Sequence, residues 1–214
     1  MISGVTMKSN GLLVGLTGQT GAGKTTVSGY LSRLGYRVID ADMVARHVVA
    51  KGGECIAELA LSFGDEILLP DQTLDRRKMG DIIFADKEKR ALLGKIIFPY
   101  IQREILSEVK RMRADGAPII FLDAPTLFES GIYQKCDKII SVIAPENIRL
   151  ARIMARDKLS KERALSRMRS QHGDEFYTRR SDYVISNGGD LSELREQLDS
   201  VIDKIELANL EGSQ

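Results

Sequence analysis

A chain of 214 residues with 43% hydrophobic and 29% charged residues is long enough to bury one sizeable core. Its 31 basic and 30 acidic residues leave a formal net charge of +1, which gives no global positive field for nucleic acid or an anionic membrane. No apolar run is long enough to cross a bilayer, and we expect the first ten residues to be a frayed extension. Two cysteines, Cys55 and Cys136, are too few for a disulfide framework, so we expect structural thiols in a cytoplasmic protein.

Five short apolar runs predict buried strands, and each ends near a turn residue or an aspartate. In chain order they are LLVGL, YRVID, PIIFLD, DKIISVIA and DYVIS. Helical patterns separate them, beginning with an amphipathic helix from Thr25 to Leu34. Strands that alternate with helices are typical of βαβ units. We therefore expect an α/β fold of the P-loop type, with a parallel five-stranded sheet, flanking helices and ligands at the carboxyl ends of the strands.

Two segments are too long to be simple connections between strands. The 75 residues from 43 to 117 exceed one crossover helix and its loops, and they contain several stretches with helical spacing. A smaller excursion covers residues 147–180. We therefore expect a core of residues 1–42, 118–146 and 181–214, with a helical subdomain inserted at 43–117 and a small helical lobe at 147–180.

The stretch GQTGAGKTT matches the phosphate-binding pattern Gly-x-x-x-x-Gly-Lys-Thr, between a predicted strand and a predicted helix. Its glycines let backbone N–H groups turn inward and form, with the helix N-terminus, a nest for an anion. Lys24 would reach the outer phosphates, and the Thr25 hydroxyl would bind Mg²⁺. The pattern predicts a nucleoside triphosphate such as ATP. The predicted nucleotide-binding residues of the loop are Gly18, Thr20, Gly21, Ala22, Gly23, Lys24, Thr25 and Thr26.

Two aspartates, Asp40 and Asp42, come where the second predicted strand runs out. Ligands bind at this edge of such a sheet, and alternate residues of an extended segment point the same way. In a kinase that acts on a hydroxyl group, one carboxylate orients the hydroxyl and accepts its proton. Arg46 would then hold an anionic group of the acceptor. The alternative is that one aspartate only caps the following helix.

Asp123 ends the third predicted strand, where a carboxylate holds Mg²⁺ or its waters in many nucleotide-binding proteins. An ordinary turn-forming role is the alternative. The loop that follows carries Leu127, Phe128 and Glu129, and we expect its apolar side chains beside the acceptor unless they serve only helix–sheet packing. After the last strand, Asn187 begins a turn that would border the adenine, although turn chemistry alone also accounts for it.

The lobe at 147–180 holds ten basic and four acidic residues in an otherwise nearly neutral chain. Arg149, Arg152 and Arg156 are three and four positions apart, so a helix would place them on one face. This row is typical of a lid whose arginines close over a nucleotide and neutralise charge on the transferred phosphoryl group. The alternative is a solvated helix face.

Together, these stretches resemble the dephospho-coenzyme A kinase family from Leu12 to about Ile205. The matching segments are GLTGQTGAGKTT, VIDADMVARHVV, DQTLDRRKMGDIIF, APTLFESGI, RIMARDKLSKERALSRMRSQ and DYVISNGG. The resemblance implies transfer of the ATP γ-phosphoryl group to the ribose 3′-hydroxyl of dephospho-CoA, the last step of coenzyme A synthesis. It also implies a P-loop kinase core with a helical acceptor-binding domain and a lid.

By position, the resemblance assigns roles to individual residues. Asp42 is the expected base, and the other expected catalytic residues are Lys24, Arg152 and Arg156. The expected acceptor-binding residues are Asp42, Arg46, Arg76, Leu127, Phe128 and Glu129. One departure is Phe98, which precedes a proline where members of the family usually have histidine. Phenylalanine has no polar side-chain atom, so only a packing role is expected at that position.

Two other classes of protein share part of this pattern. Another small-molecule kinase, such as a nucleoside or nucleotide kinase, would have the same phosphate loop, and only DAD, LDRR and TLFE argue against it. A regulator that binds nucleotide without catalysis would keep the loop and need no phosphate acceptor. We expect a small-molecule substrate, with no nucleic-acid or membrane partner, and a monomer or weak oligomer.

Overall fold

The computed structural model describes residues 11–50 and 52–211, and within them five strands form one sheet in the order β2-β3-β1-β4-β5. The strands are β1 (Leu12–Gly18), β2 (Arg37–Asp40), β3 (Ile119–Asp123), β4 (Lys138–Ile143) and β5 (Tyr183–Ser186). Each coincides with one of the apolar runs, so the predicted α/β fold with a parallel five-stranded sheet is confirmed. The predicted N-terminal extension, residues 1–10, lies outside the described residues.

β1 is the central strand and is buried almost throughout, as its apolar sequence requires. It runs parallel to β3 with Leu16 opposite Asp123, and parallel to β4 with Gly18 opposite Val142. The carboxyl ends of β1 and β3 therefore meet at one edge of the sheet. The loop that leaves β1 begins beside Asp123.

The helices between and after the strands follow the predicted order. They are α1 (Lys24–Arg33), α2 (Ala41–Val48), α3 (Glu54–Phe63), α4 (Arg76–Ala85), α5 (Lys87–Ala114), α6 (Glu146–Asp157), α7 (Lys161–Arg169), α8 (Asp174–Thr178) and α9 (Leu191–Glu211). Within residues 11–50 and 52–211, no helix combines the length and apolar character needed to span a membrane.

The described chain divides into two compact units, of which one consists of residues 40–110 and the other of the remaining residues. The larger unit contains the sheet and buries Val27 and Leu31 of α1 and Leu198 and Ile202 of α9 in one core with Phe121 of β3. The lobe formed by α6, α7 and α8 belongs to this larger unit. Its own small apolar cluster consists of Ile153, Ala164 and Met168.

Residues 40–110 form the smaller unit, which has a separate apolar core. The buried members of the core of residues 40–110 are Val49, Cys55, Leu59, Ile67, Met79 and Ile96.

The smaller unit also contains the cap of α4 and one of the two cysteines of the chain. α4 is capped by Asp75, whose side chain accepts hydrogen bonds from the N–H groups of Arg77 and Lys78 at 3.1 and 3.0 Å. Both cysteines are free, and burial raises the pKa of Cys55 to about 11 and that of Cys136 to about 12. These thiols have the character of structural residues.

Truncating the buried ring of Phe121 should destabilise the larger unit. Phe121 is fully buried and meets Tyr36 edge to face, with the ring centroids 5.3 Å apart. Phe121→Ala should lower the free energy of unfolding by about 3–5 kcal/mol, because the cavity cannot collapse completely. Leu210, which is 66% exposed in α9, gives the control, and Leu210→Ala should change stability by less than about 0.5 kcal/mol. Urea unfolding followed by circular dichroism measures both, and equal effects would contradict the assignment of the core.

Candidate functional site

The phosphate loop links the end of β1 to the start of α1. Gly21 and Gly23 have φ values of 78° and 94°, in the left-handed region that glycine adopts without strain. Within the loop, the Ala22 N–H donates to Gln19 O at 3.1 Å, and the Thr26 N–H donates to Gly23 O at 3.0 Å. The first N–H groups of a helix have no partner within the helix. The start of α1 therefore offers donors and the positive end of a helix dipole to an anion.

The carbonyl oxygens of Gly21 and Ala22 in this loop are bound from outside by two side chains. Asn187 Nδ2 donates to Ala22 O at 2.7 Å, and Arg152 Nη1 lies 3.4 Å from Gly21 O and 3.5 Å from Ala22 O. In a trans peptide group the C=O and N–H bonds point in opposite directions. The Ala22 N–H is used within the loop by Gln19 O, but fixing the Ala22 oxygen on the outside directs the Gly23 N–H toward the inside, where a phosphate would sit.

Arg152 and Asn187 are also bound to each other, so the two form one support for the loop. Arg152 donates to the Asn187 backbone oxygen at 3.1 Å through Nη1 and to the side-chain Oδ1 at 3.4 Å through Nη2. Asn187 is 5% exposed and follows β5 directly. Both residues were predicted to contact the nucleotide itself. Their observed contacts are with the loop that would bind it.

Lys24 and Asp123 meet at the carboxyl edge of the sheet. The Lys24 ammonium group forms an ion pair with the Asp123 carboxylate, and their side chains are 15% and 11% exposed. Thr25, the next residue of α1, is exposed. A basic group, a carboxylate and a hydroxyl therefore lie at one end of the loop. These are the groups that a phosphate chain with its metal ion requires.

The chemistry of Asp123 and Thr25 fits a Mg²⁺ ion that is shared with a nucleotide. In the part of the chain that the structure describes, no three His, Cys, Asp or Glu residues are grouped so that they could hold a metal ion. Mg²⁺ in kinases usually takes one or two protein oxygens and completes its shell with phosphate and water. One buried carboxylate and one hydroxyl are sufficient for that mode of binding.

Asp40 and Asp42 occupy different kinds of backbone, which corrects the expectation that both lie on one extended segment. Asp40 ends β2 and caps α2, and its Oδ1 accepts from the N–H groups of Asp42 and Met43 at 2.8 and 3.1 Å. The chain turns into the helix at Ala41 because this cap satisfies its first donors. Asp42 therefore lies in the first turn of α2, with Arg46 exposed one turn later.

The remaining acceptor candidates have distinct environments. Arg76 is the first residue of α4 and is exposed. Leu127 is fully buried, which favours the packing alternative for this side chain. Phe128 packs against Phe176, with the ring centroids 5.4 Å apart at an interplanar angle of 89°. Glu129 is exposed, and its Oε1 lies 4.0 Å from His172 Nε2.

The three arginines of α6 do not share one environment, contrary to the expectation of a single row. Arg149 is only 5% exposed, whereas Arg156 is exposed and makes two hydrogen bonds of 2.8 and 2.9 Å to Asp157. Arg167 also pairs with Asp157, at 2.7 Å. The burial of Arg149 was not predicted. Arg149 lies three positions before Arg152 on α6, and this spacing was the sequence signal that could have placed both side chains beside the loop.

Adding a methyl group at Gly23 should disturb the loop and reduce nucleotide binding. A Cβ at this position would collide with Asn187 Nδ2, and the backbone has a φ of 94°. Gly23→Ala should therefore displace Asn187 from Ala22 O and weaken ATP binding by roughly tenfold or more, since the left-handed backbone alone costs about 1–2 kcal/mol.

Gly29 gives a matched control for Gly23→Ala on the same helix. A Cβ there meets no atom within 4 Å. Gly29→Ala should raise the free energy of unfolding by about 0.5–1 kcal/mol and leave the ATP dissociation constant unchanged. Isothermal titration calorimetry with ATP measures the binding. Equal ATP affinity in the two folded variants would argue against the geometry of the loop.

The family of this chain is given by a family profile and by curated relatives. The family profile described as Dephospho-CoA kinase matches residues 12–193. The Dephospho-CoA kinase of Listeria innocua is 41% identical over 194 residues, covering 91% of this chain and 97% of the relative. That of Arabidopsis thaliana is 39% identical and covers 90% of this chain and 83% of the relative. A solved dephospho-CoA kinase from Campylobacter jejuni superimposes with a TM-score of 0.68 at 29% identity, covering 92% of this chain and 98% of that one. The chain belongs to the dephospho-CoA kinase family.

Proposed function

We propose that the protein transfers the γ-phosphoryl group of ATP to the ribose 3′-hydroxyl of dephospho-CoA, which completes coenzyme A in the cytoplasm. The observation that carries the proposal is the phosphate loop, whose outer carbonyls are bound by Arg152 and Asn187 and whose Lys24 lies beside Asp123, in a chain of this family. The 3′-hydroxyl oxygen bonds to the γ-phosphorus while the bond from that phosphorus to the β–γ bridging oxygen breaks. ADP leaves, and the hydroxyl proton passes to a carboxylate.

The nucleotide is held mainly by the phosphate loop. Its backbone N–H groups surround the phosphates, and Lys24 leaves Asp123 to contact the outer ones. Thr25 and Asp123 would hold Mg²⁺, which neutralises phosphate charge when bound. The proposed nucleotide-binding residues are Gly18, Thr20, Gly21, Ala22, Gly23, Lys24, Thr25, Thr26 and Asn187.

The proposed acceptor-binding residues are Asp42, Arg46, Arg76, Leu127, Phe128 and Glu129. Asp42 orients the 3′-hydroxyl and accepts its proton, while Arg46 and Arg76 bind anionic groups of dephospho-CoA. Phe128 and Glu129 border the acceptor, and Leu127 supports them from the core. Arg152 and Arg156 of the lobe at 147–180, the proposed lid, stabilise charge on the transferred group, Arg152 from its place beside the loop carbonyls of Gly21 and Ala22.

The purified protein with MgATP should convert dephospho-CoA into a product heavier by one phosphoryl group. Mass spectrometry of the product tests this directly. Nucleosides and nucleoside monophosphates should be far poorer acceptors, because the acceptor groups above match a molecule with both a diphosphate and a free 3′-hydroxyl. Lys24→Ala, checked for folding by circular dichroism, gives the inactive control. Preferred phosphorylation of a nucleoside would identify another small-molecule kinase, and no transfer to any acceptor would favour a regulator.

Replacing Asp42 with asparagine should slow catalysis without weakening ATP binding. Asn keeps the size and polarity of the side chain but cannot accept the proton, and a general base typically contributes about 10²–10⁴-fold. Asp42→Asn should therefore lower kcat by roughly that factor. Steady-state kinetics with ATP and dephospho-CoA varied separately measure the change.

Asp40→Asn is the matched control for Asp42→Asn. Asparagine caps a helix about as well as aspartate, so α2 should remain intact and kcat should change much less. If Asp40→Asn abolished turnover while Asp42→Asn remained active, the choice of base would be wrong. The assignment as a kinase would survive that result.

A further inference from the structure

Thr20 of the phosphate loop is held at both of its backbone polar groups by side chains that come from far along the sequence. Its N–H donates to Gln171 Oε1 at 2.8 Å, and its carbonyl oxygen accepts from Arg149 Nε at 3.1 Å. The neighbouring Gln19 side chain donates through Nε2 to His172 O at 3.0 Å. The first part of the loop is therefore bound by α6 and by the segment that follows α7.

The burial of Arg149 requires an explanation. The residue is 5% exposed, and burial lowers the pKa of its guanidinium, although Asp174 partly opposes the shift. Asp174 Oδ1 lies 3.7 Å from Nη1, on a side chain that is 54% exposed. Taking a cation out of water is costly, and an apolar side chain of similar length would pack there more cheaply. An apolar side chain could make neither the ion pair with Asp174 nor the hydrogen bond to Thr20 O, and the hydrogen bond is the shorter of the two contacts.

The hydrogen bond to Thr20 O determines the direction of the N–H group of Gly21, which belongs to the same peptide group. Because C=O and N–H are antiparallel in a trans peptide group, binding Thr20 O from outside turns the Gly21 N–H inward. Gly21 has a φ of 78° and as a glycine can adopt many other conformations, so the loop alone does not fix this direction. α6 also lies close against the loop, since a Cβ on Gly21 would come within 2.8 Å of Arg149 O.

We propose that Arg149 and Gln171 are positioning residues that clamp Thr20 and thereby preorganise the phosphate loop for the outer phosphates of ATP. The choice of ATP as the nucleotide rests on the kinase function proposed above. Neither side chain needs to touch the nucleotide. Their effect is to remove, before binding, the conformational freedom that the loop would otherwise lose on binding.

The clamp is tested by replacing each side chain with an apolar one and with a close analogue. Arg149→Met removes the donor and keeps the length, while Arg149→Lys restores one donor. Gln171→Leu removes the acceptor, while Gln171→Glu restores it. Arg163→Met, at an exposed position of α7, controls for the loss of one positive charge from the same lobe. Dissociation constants for ATP and AMP are measured by calorimetry with the full chain, together with the KM for dephospho-CoA.

Arg149→Met should raise the ATP dissociation constant about tenfold, and Gln171→Leu about threefold, because the outer phosphates meet a loop that is no longer fixed. AMP lacks those phosphates, so its dissociation constant for Arg149→Met and Gln171→Leu should stay within about twofold of the value for the unaltered protein. The ATP dissociation constant of Arg163→Met should also stay within about twofold of that value. Arg149→Lys and Gln171→Glu should recover part of the ATP affinity. The KM for dephospho-CoA should change by less than about twofold, so that the loss is confined to one substrate.

Unchanged ATP affinity in folded Arg149→Met would overturn the proposal. An equal loss of affinity for ATP and AMP in this variant would also overturn it, and so would an equal loss of ATP affinity in Arg163→Met. If Arg149→Met does not fold, the Gln171 variants decide, and unchanged ATP affinity in Gln171→Leu then rejects the clamp. The unaltered protein is assayed in parallel for transfer to dephospho-CoA. If the unaltered protein transfers no phosphoryl group to dephospho-CoA, the proposed function is wrong. The dissociation constants for ATP and AMP still test the clamp in that case.

Discussion

A loop that turns successive N–H groups toward an anion must turn its carbonyl oxygens away from it, and oxygens removed from water need donors of their own. Here Arg152 and Asn187 supply those donors to Gly21 and Ala22. The two side chains belong to α6 and to the turn after β5, and β5 is separated from β1 by β4, so the phosphate loop has its shape only when these elements have packed together. The geometry of the site is therefore a property of the whole larger unit, although the motif is local in sequence.

The centre of the sheet could be predicted because β1, β3 and β4 are largely buried, and a strand buried on both faces leaves a continuous apolar run. The edge strands β2 and β5 each bury only one residue, contrary to the prediction of five buried strands. The point at which a strand gives way to a helix was harder to predict. Asp40 and Asp42 look alike in the sequence, and alternation suggested that both extend from β2. The structure ends β2 at Asp40, because its carboxylate binds the first N–H groups of α2. Capping is decided by backbone geometry that the spacing of two aspartates does not reveal.

The candidate site shows the same division between local and distant information. The Gly-x-x-x-x-Gly-Lys-Thr spacing identifies the phosphate loop, because adjacent residues carry all of its chemistry. Its supports could not be found in this way, since Arg149 and Gln171 lie 129 and 151 positions from Thr20. Helical spacing grouped Arg149 with Arg156, yet one is buried and the other is exposed. Periodicity gives the face of a helix but not the depth to which each residue on it is buried.

The central position of β1 has a consequence for biosynthesis. β1 leaves the ribosome first, but its partners in the sheet come more than a hundred residues later, since Leu12 pairs with Ile119 and Val14 with Lys138. At about 5–20 residues per second, this apolar strand waits roughly 5–20 s for its neighbours. Asn187 arrives later still. A nucleotide can stabilise the protein only after the phosphate loop has formed, because a ligand stabilises the state to which it binds. The central strand of the sheet is therefore without its hydrogen-bonding neighbours for about half of the time that these 214 residues take to synthesise.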